Sequence, residues 1–372
     1  MDCISAAREI ADLSREQIAS HEALAERILH LEAALASSRT ELANAHLRNE
    51  RLTAQLKVAT AAKMEADERL GGALFLYSDI EKNRDAFCER LHTAGFAILR
   101  LPASVAAEVS AVRPLAAAFF ARPEECKRLV SGEAGSVGGE GVGWRDKPEK
   151  GSEFLETYLT AAGTIVPAMG EDDDTALGAA IEVAHRRLTD VSRTLLRICA
   201  ARVSLPPEAL TDALELWEPG ETSPLDPSAI GTSLLRVCHY RPSVPRTAGG
   251  PVVVPFAPHT DSTLLTLSPL CPTAAGLHLQ GVSGDEDWID IESLSGVCTR
   301  DVEVHAGDYL ATLSRGYYVS LRHRVVCPAD GRARISLPLL LRPRDEWRRR
   351  QGWLQYTADS DTTSSEEEVD EG

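Results

Sequence analysis

Residues 302–326 read VEVHAGDYLATLSRGYYVSLRHRVV. In the second half, YYVSLRHRVV (317–326), Val319, Leu321, His323 and Val325 fall on one face of an extended chain. Arg322 and Arg324 fall on the other. A histidine directed inward among aliphatic side chains must satisfy its ring nitrogens inside the core. The same short, alternating texture surrounds this stretch in SLLRVCHY (233–240), TLLTLSPL (263–270), GLHLQ (276–280), DWIDIE (287–292) and ARISLPLLL (333–341). Gly, Pro, Asp and Ser separate these runs, which predicts an antiparallel sandwich or jelly roll from residue 233 onward.

Upstream the pattern becomes helical. Leu177, Ile181, Leu188, Val191, Leu195 and Ile198 follow a 3.6-residue period. Residues 104–130 read as helix broken by Pro114 and Pro123, residues 95–99 as a short strand, and residues 73–92 as a further helix. The glycine-rich stretch 131–151 reads as a loop. Its GxxGGxG lacks the lysine and the preceding strand of a phosphate cradle.

Residues 1–70 contain no proline and no glycine. Leu24, Ile28, Leu31, Leu35, Leu42, Leu52, Leu56 and Leu70 fit heptad a and d positions, with Asn49 at an a position. That predicts a coiled coil over 1–72, with self-association as a homodimer through residues 20–70. A long solvated helix is the competing reading. At the other end, residues 357–372 carry seven acidic and no basic residues, which predicts a disordered tail. Ser364 and Ser365 resemble an acidophilic kinase site, against the plainer reading of a solubilising tail. The arginines between 342 and 350 are expected to find an internal partner in that tail.

Hydrophobic residues make up 44% of the 372, enough for a sizeable core in about two domains. No run of 18 apolar residues exists, so no membrane helix is expected, and the N-terminus lacks a signal-peptide pattern. A net charge of −17 argues against binding nucleic acid through its phosphates. The eight cysteines never form CxxC, which points to reduced thiols and a cytoplasmic protein, the nucleus being open.

The chemistry concentrates in the β-rich part. His259 and Asp261 form an i, i+2 pair on one face of an extended chain, and His323 follows 62 residues after Asp261. Two imidazoles and one carboxylate are the ligand set of a facial iron triad. Arg334 and Ser336 share a face eleven residues further on, where a guanidinium fork beside a hydroxyl suits a carboxylate. Tyr240 shares a face with Arg236 and Cys238 and is placed to donate into the same cavity. His239, His278 and His305 read as structural rather than ligating.

The ordered set LLRVCHYRP (234–242), HTDSTLLTL (259–267), GLHLQ, HAGDYLATLSRGYYVSLRHRVV (305–326) and RARISLPLLLRP (332–343) resembles the isopenicillin N synthase-like group of iron(II)/2-oxoglutarate-dependent dioxygenases. AGFAILRLP (94–102), FFARPEECKRL (119–129) and GWRDKPEKGSEFLETY (143–158) resemble its leader region. The resemblance implies an α+β fold: a helical leader domain over 73–230, a double-stranded β-helix over 231–345 and a short C-terminal helix over 346–356. It implies Fe(II) held by His259, Asp261 and His323. It also implies 2-oxoglutarate held by Arg334, Ser336 and Tyr240, with O2 as the oxidant. The expected reaction is hydroxylation, desaturation or ring closure at a C–H bond of a small molecule. The chain departs from the group at Cys238, where many members carry Asn, at the missing Asn-His-Gly after Leu99, and in an inserted loop, GVSGDED (281–287). The alternative is a degenerate oxygenase fold in which the coiled coil acts as a scaffold or partner-binding element.

Overall fold

The structure, a computed structural model, describes residues 72–130, 141–169, 174–214, 230–242, 253–280, 288–328 and 330–350, with scattered helical positions between 27 and 49. Two units separate, residues 1–64 and 65–372. In the first, the described positions are helical and exposed, and most of the expected heptads lie outside the described residues. So do the loop 281–287, the glycine-rich residues 131–140 and the acidic tail.

In the second unit the strands are β1 (Leu74–Leu76), β2 (Phe96–Arg100), β3 (Gly143–Lys147), β4 (Ser152–Leu159), β5 (Ile165–Val166), β6 (Leu234–Tyr240), β7 (Phe256–His259) and β8 (Leu265–Pro269). They continue with β9 (Leu277–Gln280), β10 (Trp288–Asp290), β11 (Asp301–Ala306), β12 (His323–Val325), β13 (Arg334–Ser336) and β14 (Leu339–Leu341). A large sheet runs β1-β2-β11-β8-β14-β6-β4-β3, with β13 also on β6. A smaller sheet runs β10-β9-β12-β7. The pairings within the β6–β14 segment are antiparallel, and the chain passes back and forth between the two sheets, as a jelly roll requires.

Alternation gives the large sheet two different buried faces. Val302, Val304, Leu265, Leu267, Leu235, Val237, Leu339 and Leu341 join the main apolar core. Each such side chain contributes roughly 1.5–3 kcal/mol by leaving water. The helix Thr175–Arg202 packs on this face through the residues its period predicts, Leu177 through Ile198, all buried. The opposite face turns toward the smaller sheet and carries Glu303, His305, Thr266, Arg236, Cys238 and Tyr240, all buried polar or thiol groups except the tyrosine ring. Phe96, Ile98, Leu270, Leu279 and Leu321 fill one end of the space between the sheets with hydrocarbon.

Four local expectations change. Residues 143–147, inside the stretch read as a loop, form β3, paired antiparallel with β4. Residues 74–76 form β1, parallel to β2, and helix begins only at Arg84. The exposed flank of β2 needs a partner, and that pairing overrides local helix preference. The break expected at Pro114 falls at Ala111, because Pro114 sits in the first turn of the helix Val112–Phe120, where a missing N–H has no helical acceptor to lose. The leader segment is less purely helical than expected: β1, β2, β3 and β4 extend the large sheet on both flanks. The stretch Ala103–Phe120 is long and apolar enough to cross a membrane by length and composition. It is divided at Ala111, and Ala106, Val109, Val112, Ala116 and Phe119 from its two halves join the core.

Candidate active site

His259 ends β7 and His323 opens β12, and the antiparallel register sets them directly opposite each other. Their ring centroids are 4.2 Å apart. Asp261 follows two residues after His259, as the chain turns into β8. One ligand atom from each of the three lies within 4.8 Å of the others. Asp261 Oδ1 is 3.5 Å from His259 Nε2 and 3.8 Å from His323 Nε2. The Nδ1 of His259 faces the carbonyl of Ala257 at 2.8 Å, and that of His323 faces Leu321 O at 3.3 Å. A carbonyl only accepts, so Nδ1 donates in both rings and each Nε2 keeps its lone pair toward the common centre.

Electrostatics agree with that geometry. Burial, reinforced by His259, pushes the pKa of His323 down to about 3, so the ring is neutral at neutral pH. Burial alone would raise the Asp261 carboxyl, but the histidines around it, His323 first, hold it well below the usual carboxylate range. Two imidazoles and one carboxylate suit a divalent first-row metal with positions left open.

The same cavity continues past Phe256, Val325 and Leu277 to Arg334, Ser336 and Tyr240. Register places Arg334 opposite Tyr240 and Ser336 opposite Cys238 across β13 and β6. Burial keeps the Tyr240 phenol and the Cys238 thiol protonated. Arg334 donates from Nη2 to both oxygens of Glu292, at 3.0 and 2.9 Å. Its buried Nε and Nη1 have no hydrogen-bond partner among the described residues. Those two nitrogens and the hydroxyls of Ser336 and Tyr240 line one cavity and are the donor types that a carboxylate accepts from. All six residues singled out in the sequence therefore line one cavity.

Sequence reasoning missed two groups. Glu292 lies at the end of DWIDIE, where nothing local marks it as the partner of Arg334. His305 lies outside the His259–Asp261–His323 cluster but touches it: its Nε2 is 3.1 Å from Asp261 Oδ2. The alternation of VEVHA put it on the cavity face, and that was the available signal. His239 stacks on Phe120 and meets Glu153 at 2.9 Å, outside the cavity, and His278 lies between Arg324 and Asp290. Within the arginine run, Arg342 and Arg348 are buried, and Arg348 meets Tyr309 and Asp345. The tail expected to partner this run lies outside the described residues.

Comparison with known proteins follows the same lines. Residues 231–343 match the profile of the 2OG-Fe(II) oxygenase superfamily. The chain is 28% identical over 159 residues to gibberellin 2-beta-dioxygenase 7 of Arabidopsis thaliana, covering 43% of this chain and 40% of that one. It is 26% identical over 155 residues to a feruloyl CoA ortho-hydroxylase of Ipomoea batatas, covering 42% and 40%. The matched stretch thus spans about two-fifths of these relatives. Among solved structures, a Neurospora crassa protein in complex with alpha-KG and 5-formyluracil superposes with a TM-score of 0.57 at 20% identity, over 73% of this chain and 84% of that one. The dioxygenase for auxin oxidation in rice gives 0.52 at 19%, over 73% and 83%.

Proposed function

We propose that this chain, whose residues 231–343 belong to the 2OG-Fe(II) oxygenase superfamily, is an Fe(II)- and 2-oxoglutarate-dependent oxygenase of a small organic molecule. The observation that carries the reading is one cavity holding both the His259–Asp261–His323 cluster and the orphaned nitrogens of Arg334. The relatives' names speak of gibberellin, feruloyl CoA, auxin and 5-formyluracil, and only their common class, small organic molecules, is carried over.

His259 Nε2, Asp261 and His323 Nε2 would hold Fe(II). Bound there with 2-oxoglutarate and O2, the ferrous centre supplies the oxidising power for hydroxylation, desaturation or ring closure, and the 2-oxo acid leaves as succinate and CO2. The chain's own residues do the rest. Arg334 binds the distal carboxylate, and the Ser336 and Tyr240 hydroxyls orient it. Phe256, Val325 and Leu277 line the path between the two sites and exclude water from it. A degenerate scaffold does not account for a buried carboxylate flanked by two imidazoles.

The test is anaerobic calorimetry with Fe(II), followed by succinate release from 2-oxoglutarate. Wild type binds one metal and releases succinate at least slowly, and His259→Ala does neither. Metal-loaded protein that never binds 2-oxoglutarate would sink the assignment. We further propose that residues 20–70 pair two copies of the chain, since the described helical positions there carry exposed Leu31 and Leu35 one turn apart. The division into 1–72, 73–230, 231–345, 346–356 and 357–372 is retained as part of this reading. A cytoplasmic location is retained too, in keeping with seven described cysteines that are all free thiols.

A further inference from the structure

A second buried chain of polar groups reaches the metal-facing carboxylate from behind. His305 and Glu303 lie two residues apart on β11, so both point to the cavity side of the large sheet, and both are 0% exposed. The Nδ1 of His305 meets both oxygens of Glu303, at 2.9 and 3.1 Å. Its Nε2 meets Asp261 Oδ2 at 3.1 Å. Thr266 donates to that same Oδ2 at 2.6 Å. Two donors therefore converge on one oxygen of Asp261 and leave the other, Oδ1, toward His259 and His323.

From this geometry we propose that His305, braced by Glu303, is a positioning residue that locks Asp261 with a single oxygen toward the metal and thereby sets the metal affinity of the site. The inference rests on the reading of His259, Asp261 and His323 as metal ligands. A carboxylate held at one oxygen by two donors cannot swing to offer both oxygens. That matters by coordination count. A six-coordinate ion with three protein ligands keeps three positions for co-substrates, and a bidentate Asp261 would consume one of them. Glu303 matters because it fixes the ring's orientation from the far side, the usual arrangement in which an outer carboxylate orients a histidine.

Removing His305 alone would strand Glu303 as a buried charge, so the decisive variant is the double substitution Glu303→Gln/His305→Leu. His305→Gln is its conservative counterpart, since it keeps a donor within reach of Asp261. Apo full-length protein is titrated with Mn(II), a redox-inert probe, by calorimetry, and the visible spectrum of the Co(II)-loaded protein is recorded. The double variant is expected to bind Mn(II) about 10–100-fold more weakly, with an altered Co(II) spectrum, as for loss of other outer-sphere partners. His305→Gln stays close to wild type in both. A folded double variant with wild-type Mn(II) affinity and an unchanged Co(II) spectrum overturns the proposal. Should the double variant fail to fold, Glu303→Gln alone is expected to weaken Mn(II) in the same direction, and unchanged affinity there overturns the proposal equally. His259→Ala separates the two levels of inference. If that variant still binds Mn(II) like wild type, the metal centre itself is misassigned. If it loses Mn(II) while the double variant does not, only the role of His305 falls.

Discussion

Arg334 and Glu292 form an ion pair sealed from solvent, the two side chains being 2% and 0% exposed. Glu292 is the fixed partner, because the backbone N–H groups of Cys271, Gly276 and Leu277 also donate to it. The glutamate therefore aims the arginine. Breaking a buried pair from one side leaves the other charge uncompensated and costs about 3–5 kcal/mol. Glu292→Gln is expected to lose stability on that scale in denaturant unfolding. A loss under about 1 kcal/mol would mean that the pair is not what holds this corner of the cavity together.

Arg334→Met tests the carboxylate anchor. A hydrogen bond to a charged group contributes about 1.5–3 kcal/mol, so the apparent KM for 2-oxoglutarate should rise by about tenfold to a hundredfold. Turnover at saturating 2-oxoglutarate should change far less, as for a residue that supports binding rather than the chemical step. Arg334→Lys should recover only part of the affinity, because a point charge cannot reproduce the planar fork. An unchanged KM in Arg334→Met would remove Arg334 from the site.

Gly276→Ala tests the spacing around the same arginine. A Cβ there would run into the carbonyl oxygen of Val326 and stand 3.0 Å from Arg334 Cδ. The first contact is backbone just past the end of β12 and cannot yield cheaply. Overpacking of this kind costs about 1–3 kcal/mol and should also weaken 2-oxoglutarate binding by displacing the guanidinium. Thermal unfolding together with a 2-oxoglutarate titration reads both, and wild-type values in each would contradict the close approach.

Acid stability should report on Glu153. Burial would raise its pKa, but hydrogen bonds from His239, Lys127 and Trp144 prevail and push it from 4.5 down to about 2. A carboxylate depressed in the folded state stabilises it fully above its unfolded pKa, and that contribution is lost as pH falls through the folded value. Wild type should therefore unfold at a higher temperature than Glu153→Gln at neutral pH, with the gap closing between about pH 4.5 and about pH 2. A gap that stays constant across that interval would show that the charge of Glu153 contributes nothing.

Pairing of two copies through the N-terminal helix has its own test. Leu31 and Leu35 are 64% and 53% exposed at i, i+4 spacing. In analytical sedimentation the full chain should dimerise with concentration, and the double variant Leu31→Glu/Leu35→Glu should remain monomeric. Identical sedimentation of the two chains would leave the helix as a solvated one.

The jelly roll was readable because most of its strands announce themselves locally, through alternation and bounding Gly, Pro, Asp or Ser; β7, Phe256–His259, did not. The candidate ligands were readable for the same reason: spacing of two in an extended chain puts His259 and Asp261 on one side, and alternation turns His323 inward. β1 was not readable as a strand, since what makes Leu74–Leu76 extended is the unpaired flank of β2, not its own residues. Glu292 and Glu303 looked like ordinary strand-end and strand-interior acids, and His305 like a core histidine.

By itself, then, the order of residues determined which side chains face inward and which chemistry they carry, because alternation within a strand is a property of the backbone over a few residues. The tertiary structure alone decided which inward groups meet. His323 lies opposite His259 through the register of β12 on β7, Arg334 reaches Glu292 across the gap between the two sheets, and His305 on β11 finds Asp261 beside the start of the neighbouring β8. Register and sheet stacking follow from burying one face of every strand at once, which joins residues far apart in the chain.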